Sequence, residues 1–527
     1  MNSSAALLKQ RSTSLKTWLL RAMASILSLI MLVYGLIVID TGIVNFRGAG
    51  NAEVAAKRSA LVESADSGRP LEAPAEIARH SSVGIAMLGL ITSPTFAYGS
   101  RGLGDQLLHY ATMPKFNGIA LSLHNLMAGS CMLFGALQFW PALRRKYPRL
   151  HRGMGGYYLV TAQLAMIGAL GYMFRTPVEK IYDQLTFYVE LWVLAIVVTF
   201  SLWTAMYALK QKHIAQHQAW MTMSYAMLLT APIGRMGWFI FAAVAPGMRQ
   251  LEANYAVSDP LIPLCLLCGY GLFTVNRWVQ SERTDQSAAK IAQDFGLQMK
   301  FGRLLAWLAL IAILVAGWTT IEHFLLSPGF TPMPLAAEFI PQGVIQTHDG
   351  IIATQIGTRL LFALALMLGL ASGAHFLWKI FVARPTEVQI LGPTAWVLAL
   401  SSGMAGSIYL SWGWQIGMPS FATLTGGAMH VFGGLATMGF AGLLVWALLK
   451  RQSAWVKEWA VFTVACLLSM PGFYWFLPVL ATFGIDAQFI QSGHVYRLAC
   501  NSPWMLYLTL AYVAAMYSQA THSRIAR

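Results

Sequence analysis

The stretch AMASILSLIMLVYGLIV, residues 22–38, decides the fold class. It contains no charged side chain, and Lys9, Arg11, Lys16 and Arg21 stand ahead of it. A cleaved signal peptide has a shorter apolar core with a small-residue cleavage site close behind. Extended over 17–41, this run makes a helix long enough to cross the ~30 Å hydrocarbon layer. It reads as an uncleaved first membrane helix that starts on the cytoplasmic side.

Working outward, apolar runs of similar length recur at 117–141, 155–175, 185–209, 220–246 and 259–281. The second half adds 303–326, 351–380, 389–412, 423–449, 458–481 and 503–520. The expectation is an all-α fold, a polytopic transmembrane helix bundle of about twelve spans. Composition agrees: of 527 residues, 57% are apolar and only 11% charged, where a soluble domain carries about a quarter charged residues. The net charge of +15 does not mark a nucleic-acid-binding face. Its basic residues, such as Arg144, Arg145, Lys146, Arg149 and Arg152, cluster in short loops between apolar spans, as the positive-inside rule requires. The lipid bilayer is therefore the expected partner, with no nucleic acid. Counting spans from the N-terminus puts both termini in the cytoplasm of a bacterial inner membrane. Acids such as Asp183, Glu252, Asp259 and Asp486 then fall outside.

The domain reading follows: cytoplasmic N-terminus and first helix over 1–44, an extracytoplasmic loop over 45–116, a first bundle over 117–281, a cytoplasmic linker over 282–302 and a second bundle over 303–527. Within the outer loop, Val83–Tyr98 is apolar but short and interrupted by Pro94; it fits a re-entrant or interfacial segment better than a span. Laying His124 on His430 without gaps also matches Trp140 with Trp446 and Arg144 with Lys450, a weak internal duplication. Cys265 and Cys268 form a CxxC within an apolar run, which is more simply packing than a metal or redox pair.

Ionisable groups inside a membrane are costly and mark functional hypotheses. His124, Glu190, Arg235, Arg359 and His430 fall in the outer halves of their helices. They are the candidate buried polar cluster, with Glu190 and Arg235 as its expected ion pair. On the cytoplasmic side, His151 and His217 stand at one depth on alternate helices. Two neutral imidazoles so placed are candidate axial ligands of haem iron, and hence of haem b.

The stretch Leu123-His124, Gly129, Gly135, Gln138-Phe139, Leu143-Arg144-Arg145, Pro148, Leu150-His151-Arg152, Gly155 and Tyr158 resembles a bacterial membrane-protein family catalogued as domain of unknown function twenty-three-oh-six. His217, Trp220-Met221, Tyr225 and Arg235 are similar to that family's second motif. Gly156 and Thr222-Met223 depart from it, each removing an arginine. The resemblance implies a membrane fold and no defined activity. A looser similarity, to cytochrome b561-type four-helix proteins, implies one haem between His151 and His217, because His124 has no histidine partner on the fourth helix.

Three functions compete: a b-type haem redox protein using quinone or a partner protein, a secondary transporter or permease for a small polar molecule, and a non-catalytic assembly or sensory subunit. Whether the chain is an enzyme is left open. No HExxH, GxSxG, P-loop or GxGxxG motif occurs, which disfavours hydrolase, ATP-driven and nicotinamide chemistry. For a transporter, Pro232-Ile233-Gly234 is the expected helix break.

Overall fold

A computed structural model describes residues 2–69, 81–138, 140–281, 302–383 and 387–518. The expected linker, apart from Gly302, and the basic tail Arg524–Arg527 lie outside the described residues. Among those described, the chain is helical, and its only strand-like feature is the isolated bridge Ser420–Leu424. An all-α membrane bundle is therefore the fold.

Twelve spans were expected; seven helices are long and apolar enough to cross a membrane, or ten if three bent pairs each count as one span. The other two expected spans are helices too, Pro393–Ile416 and His494–Ser518. Polar side chains dilute them: Ser401, Ser402 and Ser411 in the first, Arg497 and Asn501 in the second. Such groups belong against protein rather than lipid, and Ser401, Ser402, Arg497 and Asn501 are buried.

The described residues form two compact units that interleave along the chain. The first takes residues from 1–203, 222–251 and 271–284; the second from 204–221, 252–270 and 285–527.

In the first unit, α1 (Asn2–Gly48) packs on α6 (Lys115–Gln138), and α6 on α7 (Pro148–Arg175). Gly35 and Gly129 set the first crossing: a Cβ on Gly129 would stand 2.6 Å from the Gly35 carbonyl oxygen. Small residues let membrane helices approach to backbone contact. Replacing Gly129 by Val is accordingly expected to cost about 1–3 kcal/mol through overpacking. Thermal unfolding in detergent measures it, and an unchanged midpoint would show that the crossing tolerates bulk.

Among its described residues, the loop 45–116 is helical rather than open. It contains α2 (Ala52–Ser67), α3 (Val83–Ile91), α4 (Pro94–Tyr98) and α5 (Leu103–Thr112). The apolar run 83–98 is thus two short helices, split where Ser93 caps the second and Pro94 opens it; neither is long enough to span. Asp66 fastens this cap, accepting from the Ser100 amide (3.1 and 3.2 Å) and pairing with Arg249 (2.6 Å). Burial opposes ionisation of Asp66, but these partners outweigh it and lower its pKa. The first unit also holds α8 (Gln184–Lys210) as far as Trp203, and α10 (Thr230–Val244).

In the second unit lie α9 (Ile214–Met227) as far as Met221, α11 (Gln250–Ser258) from Glu252, and α12 (Leu261–Ser281) as far as Tyr270. After them come α13 (Gly302–Ile321), α14 (Gln342–His348) and α15 (Ile356–Trp378). The last five are α16 (Pro393–Ile416), α17 (Ala428–Leu449), α18 (Ser453–Ser469), α19 (Gly472–Ala481) and α20 (His494–Ser518). The antiparallel pair α16 and α17 closes on glycine: Gly406 meets Gly434, and a Cβ on Gly427 would overlap the Gly413 carbonyl. This crossing fixes the height of His430, which stands in the first turn of α17. By contrast His124 stands nine residues into α6, so the aligned histidines occupy different levels of their helices.

Candidate functional site in the second unit

Two helix irregularities and one break converge on a cavity of about 30 Å³. Helices α18 and α19 meet at a 58° bend around Met470 and Pro471. Ser469, Met470, Phe473 and Tyr474 from that bend line the cavity. A π-helical turn, Glu322–Leu326, continues α13 and adds Phe324; a second, Asp349–Ala353, follows α14 and adds Ile352. Such bulges and breaks leave backbone groups outside the regular ladder, and they recur at functional positions.

The lining is aromatic around imidazole. His348 lies flat on Phe330 (centroids 3.7 Å, 15° between planes), and His430 leans on Tyr409 (4.4 Å). Just behind, His323 stacks on Tyr474 (4.2 Å, 11°). The His348 and His430 rings are 6.4 Å apart. Trp412, fully buried, also lines the cavity, and its indole N–H meets no acceptor among the described residues.

Asp349 organises this side. It accepts from the Phe330 amide (2.6 Å), the Thr331 amide (2.8 Å) and the Thr331 hydroxyl (2.6 Å), and sits 3.1 Å from His348 Nδ1. Burial disfavours its charge, yet these donors together hold its pKa well below the usual carboxylate range. An ionised Asp349 accepts the Nδ1 proton of His348, so the His348 lone pair sits on Nε2, which faces the Tyr474 hydroxyl at 3.5 Å, the outer limit of a hydrogen bond. Behind the cavity wall, Arg497 pairs with Asp259 through two hydrogen bonds (2.7 and 3.0 Å), both side chains wholly buried. Asp259, expected to fall on the outer side, lies at the 50° break between α11 and α12.

Of the five residues expected as a polar cluster, His430 alone lines this cavity. Arg359, buried in the first turn of α15, donates to the Ala353 carbonyl and so closes the second π turn; its Nε meets no acceptor among the described residues. The other three lie in the first unit. His124 Nδ1 bonds the Ala165 carbonyl (2.9 Å) and clasps α6 to α7. Glu190 is buried on α8. Arg235 is exposed and lies over the Trp238 ring (4.4 Å); the pair expected with Glu190 is not among its contacts.

The expected haem ligands belong to different units, His151 to the first and His217 to the second. His217 Nδ1 donates to the Ala205 carbonyl (3.0 Å), a tautomer with its lone pair on Nε2, as iron ligation there requires. With the Gln138 amide turned to satisfy its neighbours, it donates to His151 Nδ1 (2.9 Å) and accepts from the Gly155 amide (3.2 Å). That contact joins three of the motif residues quoted above. In that orientation of the amide the His151 proton sits on Nε2.

Sequence reasoning missed His348, Asp349, Tyr474 and Trp412. Its available signal was Thr347-His348-Asp349-Gly350, a polar island abutting the apolar run that begins at Ile351.

Residues 121–259 match a family model described as predicted membrane protein (DUF2306). The match takes in His124, His151, Glu190, His217 and Arg235, and none of the cavity residues. No curated protein and no solved structure matches the chain. The similarity to cytochrome b561-type proteins therefore stands on sequence positions alone.

Proposed function

We propose that this multi-helix membrane protein is a secondary transporter or permease for a small polar molecule, with its binding site in the cavity of the second unit. The observation that carries the reading is the position of that cavity at a broken span flanked by two π turns. Transporters bind their substrates at discontinuous helices, where freed backbone groups and a few convergent side chains face a cavity. The three bent pairs supply the interruptions that this function needs. One lies near the expected Pro232-Ile233-Gly234 break, at Met227–Thr230. The distribution of Lys and Arg supports a bacterial inner membrane with cytoplasmic termini. In that orientation the cavity sits toward the outer side.

Alternating access can be tested before a substrate is known. With the five native cysteines replaced, Met470→Cys places one thiol on the cavity wall. Labelling by a membrane-impermeant maleimide is expected from both faces, in right-side-out and in inverted vesicles. Labelling from one face only would make the cavity a dead-end site and remove the transport reading.

A second reading is a b-type haem redox protein working with quinone or a partner protein. The tautomer of His217 favours it, and the Gln138 contact at His151 works against it. Haem supplied during expression should then give a reduced-minus-oxidised α-band that His217→Ala abolishes. A featureless wild-type spectrum removes this reading.

A further inference from the structure

We propose that a pocket in the first unit binds the phosphate of an anionic glycerophospholipid, where two spans reach the membrane surface. The site is separate from the second-unit cavity and does not depend on the transport reading.

The pocket forms where α1 ends and α6 begins, and its volume of about 540 Å³ is within the usual range of ligand sites. Both helices are apolar enough to span, α1 up to Gly48 and α6 from Lys115. Their shared end therefore lies at the interface between hydrocarbon and water. Close packing fixes it, since a Cβ on Gly118 would overlap the Ala49 Cβ. The turn from α1 into α2 is tied to α5: Gly50, at a φ of 71°, gives its amide to the Ala111 carbonyl (2.9 Å).

Positive features converge on this pocket, and no acid lines it. Arg47 stands in the last turn of α1, where a cation suits the helix dipole. Lys115 opens α6, where the positive end of the dipole opposes it. The start of α2 at Ala52 adds a second positive helix end. Other cations of the first unit have carboxylates: Lys57 meets Glu53 (2.9 Å), Arg69 meets Glu63 (2.6 Å) and Arg249 meets Asp66 (2.6 Å). Arg47 and Lys115 meet none among the described residues. Asn51 Oδ1 accepts from the Glu53 and Val54 amides (3.0 and 3.2 Å), which leaves its own side-chain N–H groups to donate into the pocket. Arginine, lysine and amide donors beside a helix start are the set that recognises phosphate.

A lipid explains the rest of the lining better than a soluble anion does. Phe46 and Ile119 border the pocket and are exposed. Ile43, one turn below Phe46, is exposed too, and only 17% of the apolar stretch of α1 is buried inside the protein. Acyl chains can therefore follow α1 while the phosphate meets Arg47 and Lys115. A zwitterionic headgroup would bring its ammonium beside those two cations, so a net negative headgroup is preferred. In the orientation that the Lys and Arg distribution supports, the lipid belongs to the outer leaflet.

The test is native mass spectrometry of the purified full chain in detergent, titrated with phosphatidylglycerol or phosphatidylcholine of equal chain length. One phosphatidylglycerol is expected to bind more tightly than the rest and in preference to phosphatidylcholine. Arg47→Gln with Lys115→Gln should weaken that first site about thirtyfold, at about fivefold per cation near the surface. Ala52→Glu sets a carboxylate on the pocket wall, at a first-turn position that favours acids, and should also evict the lipid. It decides the matter if the double variant does not fold. Arg69→Gln with Lys180→Gln removes the same charge from exposed positions outside the pocket, and should leave the site intact. Equal binding of the two lipids, undiminished binding in the pocket variants, or an equal loss in the control variant would each overturn the inference. Inorganic phosphate and glycerophosphoglycerol, the headgroup without chains, separate the sources of phosphate. Neither should displace the lipid at millimolar concentration; displacement by either makes this a soluble-anion site and overturns the lipid assignment.

Discussion

Replacing Arg497 by Met is expected to destabilise the protein by about 3–5 kcal/mol, the range for breaking a buried ion pair from one side. The guanidinium donates to Asp259 Oδ1 from Nε (3.0 Å) and Nη2 (2.7 Å), and from Nη2 to the Ser258 hydroxyl (2.7 Å). It also lies 4.5 Å from the Tyr255 ring centroid. Methionine restores much of the packing but none of these bonds, and it leaves the Asp259 carboxylate buried beside an apolar chain. The cost arises mostly from that abandoned charge rather than from the net worth of the pair. Replacing both partners, Arg497→Met with Asp259→Leu, should therefore recover most of the loss. Thermal unfolding in detergent measures all three variants. A double variant no better than Arg497→Met would mean that the pair holds the α11–α12 break by geometry as well as charge.

Asp349→Ala is the second large effect, expected at about 2–4 kcal/mol. Hydrogen bonds to a charged group contribute about 1.5–3 kcal/mol each when removed singly, and Asp349 collects several on one partly exposed carboxylate, which discounts their sum. Its loss frees Phe330 and Thr331, and with Phe330 goes the ring beneath His348. The sign with pH follows from the depressed pKa. The unfolded chain has Asp near its ordinary value, so this stabilisation is fully present above about pH 4. It fades as pH falls through the lower folded value. Wild type and Asp349→Ala should thus differ most in unfolding midpoint at neutral pH and converge in strong acid. A gap that widens on acidification would sink the assignment of Asp349 as an ionised anchor.

Much of the fold was legible because hydropathy along one chain reports solvent directly. A helix that satisfies its own backbone groups is one of the few solutions available in lipid. Hence the runs at 17–41, 117–141 and 185–209 became helices as expected. Legibility failed where a helix faces protein. In α20, Arg497 and Asn501 made the apolar run seem to begin near 503, although the helix starts at His494. Bends failed for a related reason: Pro471 and Pro260 mark possible breaks, but Pro478 and Pro503 lie inside α19 and α20, so proline alone does not say which helix will bend. The candidate site was partly legible. His430 was flagged as an ionisable group in an apolar run, whereas His348 and Asp349 lie just outside one and looked like loop residues. The Glu190–Arg235 pair was inferred from matched depth, and depth leaves azimuth free; Arg235 faces Trp238 instead.

By itself the sequence determined the membrane class, the helical state and the sparse charge, since each depends on composition and local periodicity. Only the tertiary structure decided which polar residues meet. Asp259 and Arg497, or His348, Tyr474 and His430, lie far apart along the chain. Their contacts follow from helix crossings such as Gly413 on Gly427 and from the bend at Pro471. Those are properties of packed surfaces, and no single run of residues carries them.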